Sequence, residues 1–186
     1  AAHAFLRGIE RRLDAGLNPN VGSVASVFVS RWDAATRDRV PASLRNRLGI
    51  AIAQRTYKAA RTLLTSPQWQ RVYNAGARPQ RLLWASTGTK DPALSDILYV
   101  KALAAPHTVN TMPEGTLKAL ARYQQLGSIL PADGGDCEQV LSSFAEAGID
   151  INALASRLQE EGAKSFVESW NQLMGVIAST SAVLKK

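Results

Sequence analysis

The segment RPQRLLWASTGTKDP runs from Arg78 to Pro92, and its middle decides how the chain is built. The apolar run Leu82-Leu83-Trp84-Ala85 is too short for a stable helix and breaks directly into Ser86-Thr87-Gly88-Thr89-Lys90. A buried strand that ends in hydroxyls, a glycine and a cation has the makings of a phosphate loop. Hydroxyl and backbone N–H donors fix phosphate oxygens, glycine lets the backbone approach, and the cation offsets charge. The plainer alternative is a polar strand-to-loop transition, and spacing alone leaves both open.

Upstream, SVASVFVS (Ser23 to Ser30) is β-branched and aromatic, which predicts a strand. Ser26 sits in its interior, where a purely structural strand has no need of a hydroxyl. Arg31-Trp32-Asp33 follows. Downstream, HTVNTM (His107 to Met112) predicts a third strand, with Pro113 and Glu114 suited to the first turn of a helix.

Helical patterns fill the intervals. Phe5, Leu6, Ile9 and Leu13 share one face before the stop at Gly16. A long helix is expected from near Pro41, with Ser43 as its cap and Leu44, Leu48, Ile52, Tyr57 and Leu64 along its stripe. A short helix follows Ser66-Pro67. PALSDILYVKALAA reads as helix or loop, and the chain is helical from Asp136, with Asp150 capping a last segment that carries Leu154, Leu158, Phe166, Trp170 and Leu173. Alternation of strand and helix argues for parallel strands covered by helices, an α/β fold.

The chain has 186 residues, 46% of them hydrophobic, which fits one ordinary domain with a sizeable core. No apolar run reaches the roughly 18 residues of a membrane span. The net charge of +7 favours anionic partners. Its cations are dispersed and aromatics make up only 6%, which weighs against a dedicated nucleic-acid binder. The single cysteine, Cys137, excludes an internal disulfide, reads as structural, and fits a reducing, cytoplasmic compartment. Three visible strands make a narrow sheet, and the chain opens at Ala1 inside a helical pattern, so a fragment whose N-terminal strands are missing is expected.

In α/β folds, ligands bind where strands end in loops. The first strand offers Ser26 and Arg31, the second Ser86, Thr87, Gly88 and Lys90, the third Asn110 and Thr111. Arg31 admits two readings, a bidentate phosphate ligand or a partner of nearby Asp33. Asn110 needs hydrogen-bond partners, of which a ligand is one. Lys90 also fits a Schiff-base nucleophile, but adjacent Asp91 favours its charged form, which suits phosphate binding better. Neither His3 nor His107 stands in a metal or Ser/His/Asp spacing, and no dinucleotide or P-loop motif occurs.

SVASVFVSRWD, RPQRLLWASTGTKDP, LYVKALAAPHTVNTMPEGTL and LQEEGAKSFVESWNQLMGVI, in this order over nearly the whole chain, resemble transaldolases, closest to the bacterial type sometimes fused to phosphoglucose isomerase. The resemblance implies a (β/α)8 barrel, of which residues 1–186 would be one partial domain holding strands six to eight and the C-terminal helices. It implies transfer of a dihydroxyacetone unit through a Schiff base in the pentose phosphate pathway. The sugar phosphates would be fructose 6-phosphate, sedoheptulose 7-phosphate, erythrose 4-phosphate and glyceraldehyde 3-phosphate, with no cofactor. Ser26 would be the strand-six serine, Arg31 the phosphate arginine, Ser86 the strand-seven phosphate serine, and Lys90 a second cation at a less typical spacing.

The family's Schiff-base lysine lies in a segment like MIKIPAT, which is expected upstream of Ala1. The isolated chain is therefore expected to be inactive and to need a missing N-terminal half or a second copy. A non-catalytic sugar-phosphate-binding or protein-interaction half barrel, and an aldolase using Lys90, are the alternatives.

Overall fold

A computed structural model describes residues 1–89, 91, 93–123 and 127–184. Along the chain these form α1 (Ala2–Asp14), β1 (Val24–Phe28), α2 (Ser30–Thr36), α3 (Leu48–Leu64), α4 (Pro67–Asn74), β2 (Arg81–Ala85), α5 (Leu98–Ala102), β3 (Thr108–Asn110), α6 (Glu114–Ala121), α7 (Cys137–Glu146) and α8 (Ile151–Leu184). Two compact units result, Ala1–Ala147 and Gly148–Lys186.

In the first unit the three strands pair in parallel in the order β1-β2-β3. Register aligns Val27 with Trp84 and Asn110, and Ser26 with Leu83 and Val109. Because side chains alternate along a strand, Ala25, Val27, Leu82 and Trp84 share one face. That face packs with Ala53, Tyr57 and Tyr99 from the covering helices and with Val29 and Leu103 beside them. Trp84 is fully buried, and its indole N–H donates to the Leu103 carbonyl at 3.0 Å, so the largest core side chain leaves no unpaired donor. The opposite face carries Val24, Ser26, Phe28, Leu83 and Val109; Val24 is 46% exposed and Ser26 is also exposed.

A second core joins α1 to α4 through Leu6, Ile9, Trp69 and Val72. The α4 start follows from its sequence: Ser66 accepts from the Trp69 N–H at 3.2 Å, and Pro67 sits where its missing N–H costs nothing. Helix α7 packs on α3 with Cys137, Val140, Leu141 and Phe144 buried, and Arg55 to Glu138 joins the two at the surface.

The structure departs from expectation around β1. The strand ends at Phe28 because Ser30 already opens α2, a seven-residue helix that sequence reasoning overlooked. Ser43 caps nothing; it lies in the short 3-10 turn Ala42–Leu44, and α3 starts only at Leu48. The N-terminal donor of α3, the Gly49 N–H, is taken by the Asp33 carboxylate (3.0 Å) from α2. A tertiary carboxylate thus does the work of a local cap.

In the second unit, Asp150 caps α8 as expected, its Oδ1 accepting from the Asn152 and Ala153 N–H groups at 2.9 and 3.0 Å. The expected apolar stripe is not buried along its length: Leu154 is buried, whereas Phe166 is 65% exposed and Trp170 60% exposed.

Candidate phosphate site

The ends of β1 and β2 are tied beyond the strands themselves. The Val29 N–H donates to the Ala85 carbonyl at 2.9 Å and the Ser30 N–H to the Ser86 carbonyl at 3.1 Å. Ser86 adopts φ 56, the left-handed region that non-glycine residues seldom occupy and that is enriched where function demands strain. The result is a hydroxyl pair: Ser30 Oγ and Ser86 Oγ share a hydrogen bond of 2.7 Å.

This pair borders a pocket of about 180 Å3, which Arg31, Asp33, Arg37, Asp91 and Tyr99 also line. Ser30, Asp33 and Arg37 follow one another at helical spacing, so α2 presents them on one side. The far wall includes Asn46, whose φ of 61 turns the chain sharply just before α3.

Asp33 is the buried anchor of the pocket. Its two oxygens accept from the Gly49 N–H (3.0 Å) and from the Tyr99 hydroxyl (2.8 Å), joining α2, α3 and α5. Burial pushes its carboxyl above the ordinary aspartate value, and these hydrogen bonds offset only part of that. Burial, then the neighbouring Asp33 charge, likewise raises the Tyr99 hydroxyl, which stays a donor.

Asp33 therefore does not pair with Arg31, one of the two readings of that arginine. The Arg31 guanidinium lies over the Phe28 ring, 4.4 Å from its centroid, and makes no ion pair among the described residues. Arg37 pairs with Asp91 at 3.5 Å.

At the β2–β3 junction Asn110 finds one protein partner. Thr87, fully buried, donates through Oγ1 to Asn110 Oδ1 at 2.8 Å, so a protein hydroxyl serves the amide oxygen. Gly88 answers to packing: a Cβ there would stand 2.9 Å from Cγ of Pro113.

Of the residues singled out in the sequence, Arg31 and Ser86 line this one pocket. Ser26 lies on the open sheet face and does not line it. Lys90 lies outside the described residues. Ser30, Asp33, Arg37 and Tyr99 were missed as pocket residues; the helical spacing within SRWDAATR was the available signal for the first three. Among the described residues no group of three or more His, Cys, Asp or Glu side chains is placed to hold a metal ion, and no helix is long and apolar enough to cross a membrane.

Parallel strands with helices over the sheet, and hydroxyls and guanidinium groups at the strands' carboxyl ends, define an α/β protein. The family model for transaldolase/fructose-6-phosphate aldolase matches residues 2–177, and the chain belongs to that family. It is 43% identical over 183 residues to a transaldolase of Parafrankia sp. (strain EAN1pec), covering 94% of this chain and 50% of that one. It is 41% identical over 184 residues to a transaldolase of Frankia alni, covering 94% of this chain and 50% of the relative. A transaldolase of Neisseria meningitidis serogroup A is 40% identical over 172 residues, with 92% of this chain and 49% of the relative covered. The chain thus spans about half the length of the curated relatives it matches.

Proposed function

We propose that these residues form the phosphate-binding side of a transaldolase, with β1 to β3 as strands six to eight of a (β/α)8 barrel. The observation that carries this is the convergence of Ser30, Arg31 and Ser86 on one pocket at two adjacent strand ends. A phosphate monoester would accept the one hydroxyl proton that the Ser30–Ser86 hydrogen bond leaves free, and Arg31 would neutralise it bidentately. Ser26, two residues before the end of β1 on the open face, would meet the sugar, and Lys90 would add a second cation. The whole enzyme would transfer a dihydroxyacetone unit between sugar phosphates such as fructose 6-phosphate and erythrose 4-phosphate. Its Schiff-base lysine and proton-transfer carboxylates would come from the half of the relatives' length that these residues do not match.

On this reading the 186-residue chain binds phosphate esters without turning them over. Isothermal titration with inorganic phosphate and fructose 6-phosphate should show saturable binding that Arg31→Gln abolishes. Borohydride treatment with fructose 6-phosphate should leave no adduct on the chain by mass spectrometry. Absence of phosphate binding, or binding indifferent to Arg31, sinks the proposal. A trapped adduct at Lys90 would favour instead an aldolase working through that lysine.

A further inference from the structure

The pocket holds more charge than a single anion needs. Two guanidinium groups and two carboxylates line it, and the two carboxylates differ in kind. Asp33 is buried, and both of its oxygens are engaged by the Gly49 N–H and the Tyr99 hydroxyl. Asp91 is partly exposed; one oxygen accepts from the Ala93 N–H at 3.0 Å, and the other faces Arg37.

At 3.5 Å, with side chains 44% and 29% exposed, the Arg37–Asp91 contact is longer than a good charge-assisted hydrogen bond and open to solvent. Pairs of this kind contribute little to stability, so little opposes their separation. Arg37, just past the end of α2, lies about two helical turns along from Ser30 and lines the same pocket.

We propose that Arg37 is a further phosphate cation of this pocket, beside Arg31, held by Asp91 until an entering phosphate takes the carboxylate's place. The inference rests on the phosphate reading of the pocket given above. A phosphate dianion carries more charge than a carboxylate and offers three acceptor oxygens, so it competes well for a guanidinium held at a long distance. Asp91 opposes it twice, by occupying Arg37 and by repelling the incoming anion. The exchange therefore sets affinity from within the pocket: Asp91 keeps the site from holding phosphate too tightly, and Arg37 closes on the anion once it is seated.

The test is titration of the 186-residue chain with inorganic phosphate at low ionic strength, where exposed charges are least screened. Asp91→Asn should bind about three- to tenfold more tightly, and Arg37→Gln about tenfold more weakly, the size expected of one partly exposed charge contact. Arg37→Lys should recover part of that loss, which a structural role would not predict. In the Arg37→Gln background the gain from Asp91→Asn should shrink. Unchanged or weaker binding in Asp91→Asn, or wild-type affinity in Arg37→Gln, overturns the inference while binding that still depends on Arg31 leaves the phosphate reading standing. Loss of all phosphate binding in the wild-type chain removes both. Matching thermal melts of the exposed-site variants would establish that folding is not the cause.

Discussion

Ser30 Oγ and Ser86 Oγ meet at 2.7 Å although 56 residues separate them in the chain. Two features bring them together. The backbone of Ser30 bonds to that of Ser86, and Ser86 takes a left-handed conformation that turns its side chain toward α2.

That conformation makes Ser86 an informative position. Glycine tolerates φ 56 freely, and a β-branched residue tolerates it badly. Ser86→Gly should be as stable as wild type in urea unfolding, yet bind phosphate severalfold more weakly. Ser86→Val should lose about 1–3 kcal/mol, the usual cost of a strained backbone. If Ser86→Gly bound phosphate as wild type does, the hydroxyl would have no part in the site.

Arg31 should tolerate no conservative replacement. A lysine keeps the charge but loses the planar fork and the stack over Phe28. Arg31→Lys is expected to weaken phosphate binding about tenfold, by the loss of a bidentate contact, and Arg31→Gln to abolish it. Calorimetry on the two variants gives the comparison.

Gly49 should reject even one methyl group. A Cβ at this position would clash with the Val29 carbonyl oxygen and stand 2.9 Å from Asp33 Oδ2. The first is backbone between β1 and α2, and the second belongs to a buried carboxylate of α2 held by two hydrogen bonds, so α3 would have to withdraw and the Gly49 N–H would lose Asp33. Gly49→Ala should cost about 1–3 kcal/mol as an overpacked core site, or more if the hydrogen bond is lost. A thermal melt no lower than wild type would contradict this.

Asp33 predicts a pH dependence. Burial raises its carboxyl above the ordinary 3.8, so the folded chain holds that proton more tightly than the unfolded chain. The stabilisation linked to this group is complete below 3.8 and is lost as pH rises through the higher folded value. Asp33→Asn does not titrate. The stability of wild type relative to Asp33→Asn should therefore fall as pH rises above 3.8 in urea melts. A difference that stays flat, or grows with pH, would mean that the hydrogen bonds from Gly49 and Tyr99 outweigh burial.

The sequence made some of this legible for local reasons. Ser66-Pro67 predicts the start of α4, Asp150 that of α8, and the short run Leu82 to Ala85 the buried strand, because each signal lies within a few residues of its effect. Helix α2 escaped notice because it follows β1 without a loop and has too few residues for a clear apolar stripe. The role of Asp33 depends on partners 16 and 66 residues away, which no local pattern announces. Asn110 reads from the sequence as a polar residue in want of a partner, and only the fold brings Thr87 to its Oδ1. Arg31 and Ser86 were legible as phosphate candidates by type and place at a strand end. Ser30, Arg37 and Tyr99 became pocket residues only when α2 and α5 were set beside them.

The backbone ties from Val29 to Ala85 and from Ser30 to Ser86 have a kinetic consequence. They make the two hydroxyl-bearing walls a single jaw whose halves cannot drift apart without breaking the sheet. On the proposed phosphate reading, an anion arriving there would meet a hydroxyl pair already in position, so the ordering of these groups would be complete before binding begins. Association should then be governed by diffusion and by the field of the +7 chain. Its rate should fall steeply with added salt, while the rate of release tracks Arg37 and Asp91.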